Sequence, residues 1–299
     1  MNRLPREEFL RLVENNQLEQ LDCLPQGLEV REDVTFRTTR ERPLKLDLYV
    51  AEAPRTLPRP AILFLHGGGW LGGSKKQFAR QAAYLAAKHG FLAVCSEYRF
   101  SSEAAFPACL EDARCAVKWI RGHGHAHGVD PERVAVAGGS AGGHLAAMLA
   151  TTAHVLEYEP ADLGGADYAD QLAHVNLCIP HNAPLDLVKL AEVRGPALNP
   201  VSQLVGRSLA EAPEAYRAAS PYHRADARTA PMLLLHGRAD TTVPCEQSVA
   251  FQQKLLSLGV HSELEMYPDK AHGWFNRAPD FAPVLKRLEA FLTKQFGLL

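Results

Sequence analysis

Residues 133–150 read RVAVAGGSAGGHLAAMLA, an apolar run that passes through a glycine-rich turn into a second apolar run. Residues 134–137 are small or β-branched, which predicts a buried strand, and the small residues of 141–151 predict a helix. Ser140 lies on the turn between these two elements. Such a serine is held in a strained backbone conformation that only small neighbours allow, so its hydroxyl projects above the edge of the sheet. We therefore predict that Ser140 is a nucleophile.

A second glycine-rich turn lies upstream, where residues 61–70 read AILFLHGGGW. The apolar first half predicts another buried strand, and the glycines after it let backbone amides converge on one point. Acyl transfer passes through an oxyanion that needs such preorganised N–H donors. We predict that the amides of Gly68, Gly69 and Ala141 form this oxyanion hole. His66 precedes the serine, against the expected order of the reacting groups, so we expect it to hold the loop in place.

The acid and the base are predicted on two later strands. Residues 232–240 read MLLLHGRAD and place Asp240 after a buried strand, while His272 follows the alternating strand at 263–267. The carboxyl ends of parallel strands meet at one edge of a sheet, where ligands bind. We therefore predict that Asp240 orients His272 and that His272 removes the proton of Ser140.

Two other carboxylates compete with Asp240 for the role of the acid. Asp269 is three residues from His272 on the same loop, and Asp186 precedes the strand that should carry the acid. We expect both to be solvated or structural.

The rest of the chain alternates between strand and helix patterns, which indicates an α/β fold with a mostly parallel sheet and helices on both faces. Predicted strands are 61–65, 91–98, 134–137, 174–179, 232–235 and 263–267, and predicted helices are 76–89, 106–121, 141–151, 246–258 and 281–296. Residues 28–50 predict an antiparallel hairpin at the edge of the sheet. We predict a single domain over residues 1–299, with 1–27 as an N-terminal helical extension and about 182–228 as a small helical, cap-like excursion.

The overall composition excludes several classes of protein. The net charge is −2 and no apolar run reaches the roughly 20 residues of a bilayer span, so neither nucleic acid nor a membrane is expected as a partner. Residues 1–22 lack the apolar segment of a signal peptide, which predicts a cytoplasmic protein. His123, His125 and His127 have no cysteine or carboxylate at ligand spacing, so we expect a solvated helix end and no metal site. The oligomeric state stays open, a homo-oligomer included.

Several segments together resemble a known family. They are 66–70 (HGGGW), 97–108 (EYRFSSEAAFPA), 111–112 (ED), 129–133 (VDPER), 138–144 (GGSAGGH), 236–240 (HGRAD) and 243–244 (VP). Through them the chain resembles the α/β-hydrolase carboxylesterases of the hormone-sensitive-lipase-like branch, nearest to the bacterial feruloyl and acetyl-xylan esterases. The resemblance implies an α/β-hydrolase fold and a serine hydrolase without metal or organic cofactor that acts on small-molecule esters of short acyl groups. It also implies that Tyr98, Arg99 and Asp112 form a structural ion-pair network.

The substrate pocket is predicted from residues beside the reacting groups. Trp70, Trp274 and Phe275 flank the two catalytic loops and are candidates for its wall, with core packing as the alternative for Trp274 and Phe275. Residues 178–187 (CIPHNAPLDL) depart from the family pattern, so that His181 and Asn182 would make the pocket more polar. We predict a pocket that includes Trp70, His181 and Trp274. Acetyl or feruloyl esters of carbohydrate are the expected substrates. The alternative is an arylformamidase or another amide hydrolase on the same fold.

Overall fold

A computed structural model describes residues 2–18, 20–52, 58–160, 163, 166–195 and 199–298. The strands are β1 (Asn2–Leu4), β2 (Cys23–Pro25), β3 (Leu28–Thr38), β4 (Pro43–Ala51), β5 (Arg59–Leu65), β6 (Leu92–Ser96), β7 (Val129–Gly139), β8 (Leu177–His181), β9 (Met232–Gly237) and β10 (Ser262–Tyr267). Strands β3 to β10 form one sheet in the order β10-β9-β8-β7-β5-β6-β4-β3. In this sheet β4 runs antiparallel to β3 and β6, and the other neighbours are parallel. The sheet is therefore mostly parallel, with the predicted hairpin at its edge.

Helices cover both faces of this sheet. They are α1 (Arg6–Glu14), α2 (Ala79–His89), α3 (Ala108–His123), α4 (Ala141–Thr152), α5 (Leu187–Arg194), α6 (Pro200–Val205), α7 (Pro213–Ala218), α8 (Pro221–Arg224), α9 (Glu246–Ser257) and α10 (Phe281–Gln295). On β5, Ile62 and Phe64 belong to the core with α1, α2 and α10, whereas Leu63 and Leu65 belong to the core with α3, α4 and α9. A strand covered on both faces must be apolar throughout, which explains the uninterrupted run AILFL.

The strand register aligns the loops that carry the predicted site. Leu65 at the end of β5 pairs with Gly138 near the end of β7, and Tyr267 at the end of β10 pairs with Gly237 at the end of β9. The carboxyl ends of these strands therefore lie along one edge of the sheet, where ligands bind in folds of this type.

Most predicted elements are present with small shifts of their ends. The predicted helix at 76–89 begins as a 3₁₀ turn, Lys75–Phe78, before α2 starts. Strand β8 ends at His181, two residues later than predicted. It continues past Pro180 because the carbonyl of His181 accepts a hydrogen bond from the amide of Ser140, at 2.9 Å.

The predicted cap-like excursion contains four short helices in its described residues, joined by turns and irregular segments. Helices α5 to α8 lie within 182–228, and residues 196–198 lie outside the described residues. Asp186 begins α5, because its side chain accepts hydrogen bonds from the amides of Val188 and Lys189. This excursion passes over the carboxyl edge of the sheet, since Leu190 and Pro200 line the cavity at Ser140.

The N-terminal extension is not helical throughout, which corrects the prediction for residues 1–27. Helix α1 covers Arg6–Glu14, whose buried residues Phe9 and Val13 pack on the sheet side. The amphipathic pattern ends at Asn16, which adopts a positive φ of 56°. The chain then returns as β2, which pairs in parallel with β1. The backbone N–H and C=O groups of these two segments thus bond to each other, whereas in a helix they would bond within one segment.

Within the ranges described above, no helix combines the length and the apolar character that crossing a membrane requires.

Candidate active site

The turn between β7 and α4 holds Ser140 at φ 53° and ψ −118°. A side chain at positive φ is unfavourable, so the surrounding structure must enforce it. A Cβ on Gly138 would lie 2.4 Å from the backbone of Gly142, and a Cβ on Gly142 would lie 2.1 Å from the carbonyl oxygen of Leu65. Only glycine permits this close approach of β5, β7 and α4. The tight turn lifts Ser140 above the end of the sheet.

Ser140, His272 and Asp240 come together in one chain of hydrogen bonds. The Oγ of Ser140 lies 2.9 Å from Nε2 of His272, and Nδ1 of His272 lies 2.7 Å from Oδ2 of Asp240. Because a carboxylate only accepts hydrogen bonds, Nδ1 carries the ring proton and donates a hydrogen bond to Asp240. Nε2 is then free to accept a hydrogen bond from the Ser140 hydroxyl. This arrangement can remove the proton of Ser140 as its oxygen attacks a carbonyl carbon.

Asp240 is held by the loop that follows β9. Its Oδ1 accepts from the amides of Thr242, at 2.8 Å, and Val243, at 2.9 Å. Its Oδ2 also lies 3.4 Å from Nε2 of His236. Burial by itself raises the pKa of the Asp240 carboxyl, but the hydrogen bonds from His236, His272 and the Val243 amide outweigh burial and hold the pKa well below its usual range. Asp240 is therefore a carboxylate at neutral pH and can balance the positive charge that His272 would acquire on taking the proton of Ser140.

Free backbone amides lie beside Ser140. Gly68 and Gly69 adopt φ of 130° and 63° and line the same cavity as Ser140. In the part of the chain that the structure describes, no acceptor takes a hydrogen bond from the amides of Gly68, Gly69 or Ala141. The Ala141 amide is free because it begins α4, where helix N–H groups have no partner within the helix. Such amides beside a nucleophile can bind an oxyanion.

The loop that carries Gly68 is fixed from below. His66 is buried, its Nδ1 lies 2.8 Å from the carbonyl oxygen of Gly67, and its ring stacks on Tyr98 with 4.4 Å between centroids. The hydroxyl of Tyr98 donates to the carbonyl oxygen of His66, at 2.8 Å. The side chain of Gln77 accepts from the amide of Gly67, at 2.7 Å. His66 therefore holds this loop in place, and the imidazole that contacts Ser140 is that of His272.

The predicted ion-pair network lies under this loop, but with a different membership. Arg99 donates from Nε to Asp112, at 2.9 Å, and Arg37 donates to the other oxygen of Asp112, at 2.6 Å. Tyr98 is not part of it, because its hydroxyl bonds to His66. Arg37 was not predicted, since β3 is far from both partners in the sequence. The network ties the edge hairpin to the segment after β6.

A cavity of about 300 Å³ opens over Ser140. Trp70 lines it, as predicted, and donates from Nε1 to Nδ1 of His144, at 3.2 Å. Nε2 of His144 in turn donates to the carbonyl oxygen of Ala219, at 2.7 Å. Complete burial lowers the pKa of His144 to about 4, so the ring is neutral as these two bonds require. Trp70 is therefore a fixed wall of the cavity.

Two of the three predicted pocket residues do not line this cavity. His181 is 1% exposed, and its ring packs against Phe275 and Phe78, with 4.8 and 5.9 Å between ring centroids. Trp274 is 5% exposed and packs against Tyr267 and Phe275. Trp274 was expected in the wall because it flanks a catalytic loop, and His181 because it follows the strand next to Ser140, but the backbone turns both rings into the core. Phe275, the other aromatic candidate on the loop of His272, does line the cavity.

Asn182 lies directly against the predicted base. It adopts φ 39°, its amide donates to the carbonyl oxygen of Leu235 at 2.7 Å, and its Nδ2 is 3.2 Å from each ring nitrogen of His272. Equal distances to both nitrogens place the amide group against the ring. The sequence analysis expected Asn182 only to make the pocket more polar. Its position directly after β8, at the carboxyl edge of the sheet, is the feature that could have placed it in the site.

Six further lining residues come from the cap and the acid loop, and of these only Val243 and Pro184 lie in short segments that the sequence analysis singled out. The six are Pro184, Leu190, Arg194, Pro200, Thr242 and Val243. Of these, Leu190 and Arg194 belong to α5 and Pro200 begins α6.

The rival acids lie elsewhere. Asp186 caps α5, and Asp269 is exposed on the turn before His272. In the described ranges no three His, Cys, Asp or Glu side chains are grouped so that they could hold a metal ion.

Comparison with known proteins identifies relatives of this chain. The family model named BD-FAE matches residues 46–255, which is most of the chain. The chain is 30% identical over 201 residues to the probable carboxylic ester hydrolase LipM of Mycobacterium tuberculosis, an alignment that covers 66% of this chain and 44% of that protein. It is 28% identical over 240 residues to esterase LipC of the same organism, covering 77% of this chain and 56% of LipC. The chain thus spans about half the length of the curated relatives it matches.

Solved structures match over nearly the whole chain. Esterase 2 of the Planctomycetes species Thermogutta terrifontis is 32% identical, with 92% of this chain and 95% of that chain covered and a TM-score of 0.74. A truncated carbohydrate esterase from gut microbiota is 24% identical, with 89% and 96% covered and a TM-score of 0.75, and this match concerns the fold. Together with the family model, these matches show that the chain has the α/β-hydrolase fold and belongs to the BD-FAE family.

Proposed function

We propose that this protein is a serine carboxylesterase that hydrolyses esters of short acyl groups. The observation that carries the proposal is the unbroken chain of hydrogen bonds from Ser140 through His272 to Asp240. The free amides of Gly68 and Gly69 in the same cavity support it, because a nucleophile without an oxyanion site would be a poor acyl-transfer catalyst. Similarity to carboxylic ester hydrolases and esterases supports the bond type.

The mechanism follows from the roles of the three side chains. The Oγ of Ser140 attacks the ester carbonyl carbon while Nε2 of His272 takes the hydroxyl proton, and the amides of Gly68, Gly69 and Ala141 bind the oxyanion. When this intermediate collapses, His272 gives the proton to the departing alcohol and an acyl-enzyme remains. Water then attacks the acyl group with His272 again as base, which releases the acid and restores Ser140.

The size of the cavity supports short acyl groups. Its volume of about 300 Å³ is at the small end of ligand sites, and Trp70 and Phe275 are fixed by packing, so a long chain has no space on those sides. Structures of the Thermogutta terrifontis esterase 2 hold propionate and butyrate, at 31% identity to this chain. We propose the same range of acyl length here.

Acetyl or feruloyl esters of carbohydrate are the natural substrates that we propose within this class. The ground for this choice is the resemblance of the glycine-rich, EYRFSSEAAFPA and HGRAD segments to feruloyl and acetyl-xylan esterases. Phe275 and Trp70 in the cavity wall are compatible with an aromatic acyl group.

A panel of para-nitrophenyl esters from acetyl to palmitoyl, with methyl ferulate, an acetylated sugar and an aryl formamide, tests the proposal. Among the straight-chain esters, the wild type should cleave those up to butyryl, with activity falling steeply beyond, and it should also cleave methyl ferulate or the acetylated sugar. Ser140→Ala should lower kcat by about 10⁴-fold or more, whereas Ser257→Ala, a serine exposed at the end of α9, should leave it unchanged. Equal activity in Ser140→Ala would refute the proposal, and preferential cleavage of the formamide would assign amide hydrolysis instead.

A further inference from the structure

The cavity over Ser140 contains one fixed positive charge and no carboxylate in its described lining. Arg194 and His272 are its titratable residues, and the rest of the lining is glycine, apolar or neutral polar. Asp240 lies behind His272, and its two oxygens are occupied by His272 and by the amides of Thr242 and Val243. Among the described lining residues, Arg194 is therefore the one that carries a permanent charge.

Arg194 has no acidic partner among the described residues. No carboxylate oxygen there lies within 4.0 Å of its guanidinium, whereas the buried Arg37 and Arg99 are both paired with Asp112. Within the described part of the chain, its one hydrogen bond runs from Nη2 to the carbonyl oxygen of Thr242, at 2.6 Å. A guanidinium has five N–H donors, so most of this group remains available to a ligand.

Arg194 lies at the rim of the cavity, and neighbouring groups hold its side chain in place. It is the last residue of α5, and the helix ends on Gly195 immediately afterwards. A cation in the last turn of a helix is stabilised by the free carbonyls there. The bond to Thr242 anchors one edge of the guanidinium at the cavity rim, next to the loop of Asp240. An anchored guanidinium loses little further freedom when it binds a carboxylate, which its fork of donors fits in a bidentate manner.

A purely mechanical role is the competing interpretation. The bond to Thr242 could serve only to connect α5 with the loop that carries Asp240. In that case loss of Arg194 would lower the hydrolysis of every ester to the same extent, because Asp240 would shift regardless of which substrate is bound. A binding role would discriminate between substrates by charge. The two interpretations therefore predict different kinetics.

We propose that Arg194 makes this enzyme select esters that also carry an ionised carboxyl group. The guanidinium binds this carboxylate at the cavity rim while Ser140 attacks the ester. This inference rests on the proposed esterase activity and adds a substrate class to it. The amides of Gly68 and Gly69 would bind the carbonyl oxygen of the ester. Arg194 would bind the free carboxylate.

Two pairs of substrates test the proposal, one for each side of the scissile bond. On the acyl side, monomethyl succinate is compared with methyl butyrate, both followed by the methanol released, after subtraction of the rate without enzyme. On the alcohol side, meta-acetoxybenzoate is compared with its neutral isostere meta-acetoxybenzamide. The measured quantity is the ratio of kcat/KM for the anionic ester to that for its neutral partner.

The key variant is Arg194→Gln, which removes the charge and, because its amide nitrogen ends two bonds short of Nη2, also the bond to the Thr242 carbonyl; the effect of the charge is therefore judged from the ratio of anionic to neutral ester and not from total activity. Lys189→Gln is the matched control, because it removes one positive charge from the same helix on a side that borders a different cavity. In at least one pair, Arg194→Gln should lower the ratio by about tenfold or more, mostly through a higher KM for the anionic ester. Lys189→Gln should not change it, and added NaCl should reduce the wild-type ratio.

An unchanged ratio in both pairs would overturn the proposal. An equal loss of activity on anionic and neutral esters would also overturn it and assign Arg194 the mechanical role. Neither result would affect the proposed esterase activity, which is judged separately by hydrolysis of the neutral esters and its loss in Ser140→Ala.

Discussion

At the scale of single residues, the site depends on the protonation state of one imidazole. Asp240 accepts from Nδ1 of His272, and this bond keeps Nε2 unprotonated and directed at Ser140. The environment of Asp240 ensures its charge, since three hydrogen-bonding groups lower the pKa of its carboxyl against the effect of burial. The carboxylate itself does not need to exchange a proton during the reaction.

Replacement of Asp240 by Asn tests this role. The Asn oxygen can still accept from the amides of Thr242 and Val243, but its NH₂ group would face Nδ1 of His272 and force the ring proton onto Nε2. We expect kcat to fall by about 10⁴-fold with the fold retained. Ester hydrolysis measured beside thermal unfolding checks it. Asp269→Asn, on the exposed turn nearby, should retain wild-type activity, and if it fell to the level of Asp240→Asn the two acids would have been assigned wrongly.

At the scale of secondary-structure elements, the decisive feature is how closely α4 approaches the end of β5. Gly142 is in the first turn of α4, and a Cβ there would lie 2.1 Å from the carbonyl oxygen of Leu65 and 2.4 Å from that of His66. Both are backbone atoms at the start of the loop that carries Gly68. The approach of the helix therefore sets the distance between the nucleophile and the free amides.

Gly142→Ala tests this packing, because two effects oppose each other there. Helix propensity alone favours Ala over Gly by about 1 kcal/mol. The backbone contact should win, so we expect a net destabilisation of roughly 1–3 kcal/mol and a loss of esterase activity as the loop shifts. Thermal unfolding and ester hydrolysis measure the two effects. Gly72→Ala is the control, since a Cβ there meets nothing within 4 Å, and a stable, active Gly142→Ala enzyme would contradict the argument.

At the scale of the whole molecule, α10 joins the N-terminal extension to the sheet domain through one half-buried carboxylate. Glu289 on α10 accepts from Tyr84 at 2.9 Å and from His89 at 2.6 Å, and it pairs with Lys88 at 2.9 Å. Lys88 also bonds to Glu14 of α1. Burial raises the pKa of Glu289, but the hydrogen bonds from His89, Lys88 and Tyr84 outweigh it and lower the pKa to about 2.

This shift predicts how stability depends on acid. The pKa of Glu289 is lower in the folded state than its ordinary value of 4.5, so its contribution is fully present above pH 4.5 and is lost as the pH falls towards 2. Glu289→Gln should lower the free energy of unfolding by about 1–3 kcal/mol at neutral pH, and the difference from wild type should shrink below pH 4.5. Urea unfolding at several pH values measures it.

The control for this prediction is Glu214→Gln on α7, whose side chain is 86% exposed and which should change stability little at any pH. A difference between Glu289→Gln and wild type that stays constant from neutral pH down to about pH 3 would show that the charge of Glu289 is not what stabilises the contact.

Sequence patterns were sufficient for the framework of this protein. The apolar runs that end at Leu65, Ala137 and Leu235 predict strands, and the parallel order of such strands requires the loops after them to meet at one edge. The glycines around Ser140 and in the HGGG segment indicate close backbone approach, which is a local property that a sequence records directly. These signals fixed the fold class and named Ser140, Asp240 and His272, the residues that the structure then brings into contact.

Only the tertiary structure decided which side chains face the substrate. Trp274 and Phe275 are neighbours of similar character, yet one enters the core and the other lines the cavity, because the 3₁₀ turn Trp274–Asn276 orients them against Tyr267 and Gly139. Arg194 reaches the cavity rim because α5 packs against α6 and α7 within the cap, an arrangement between separate segments that no local pattern encodes. Which residue faces inward depends on contacts between distant segments, whereas which residue can form a strand or a tight turn depends on its nearest neighbours.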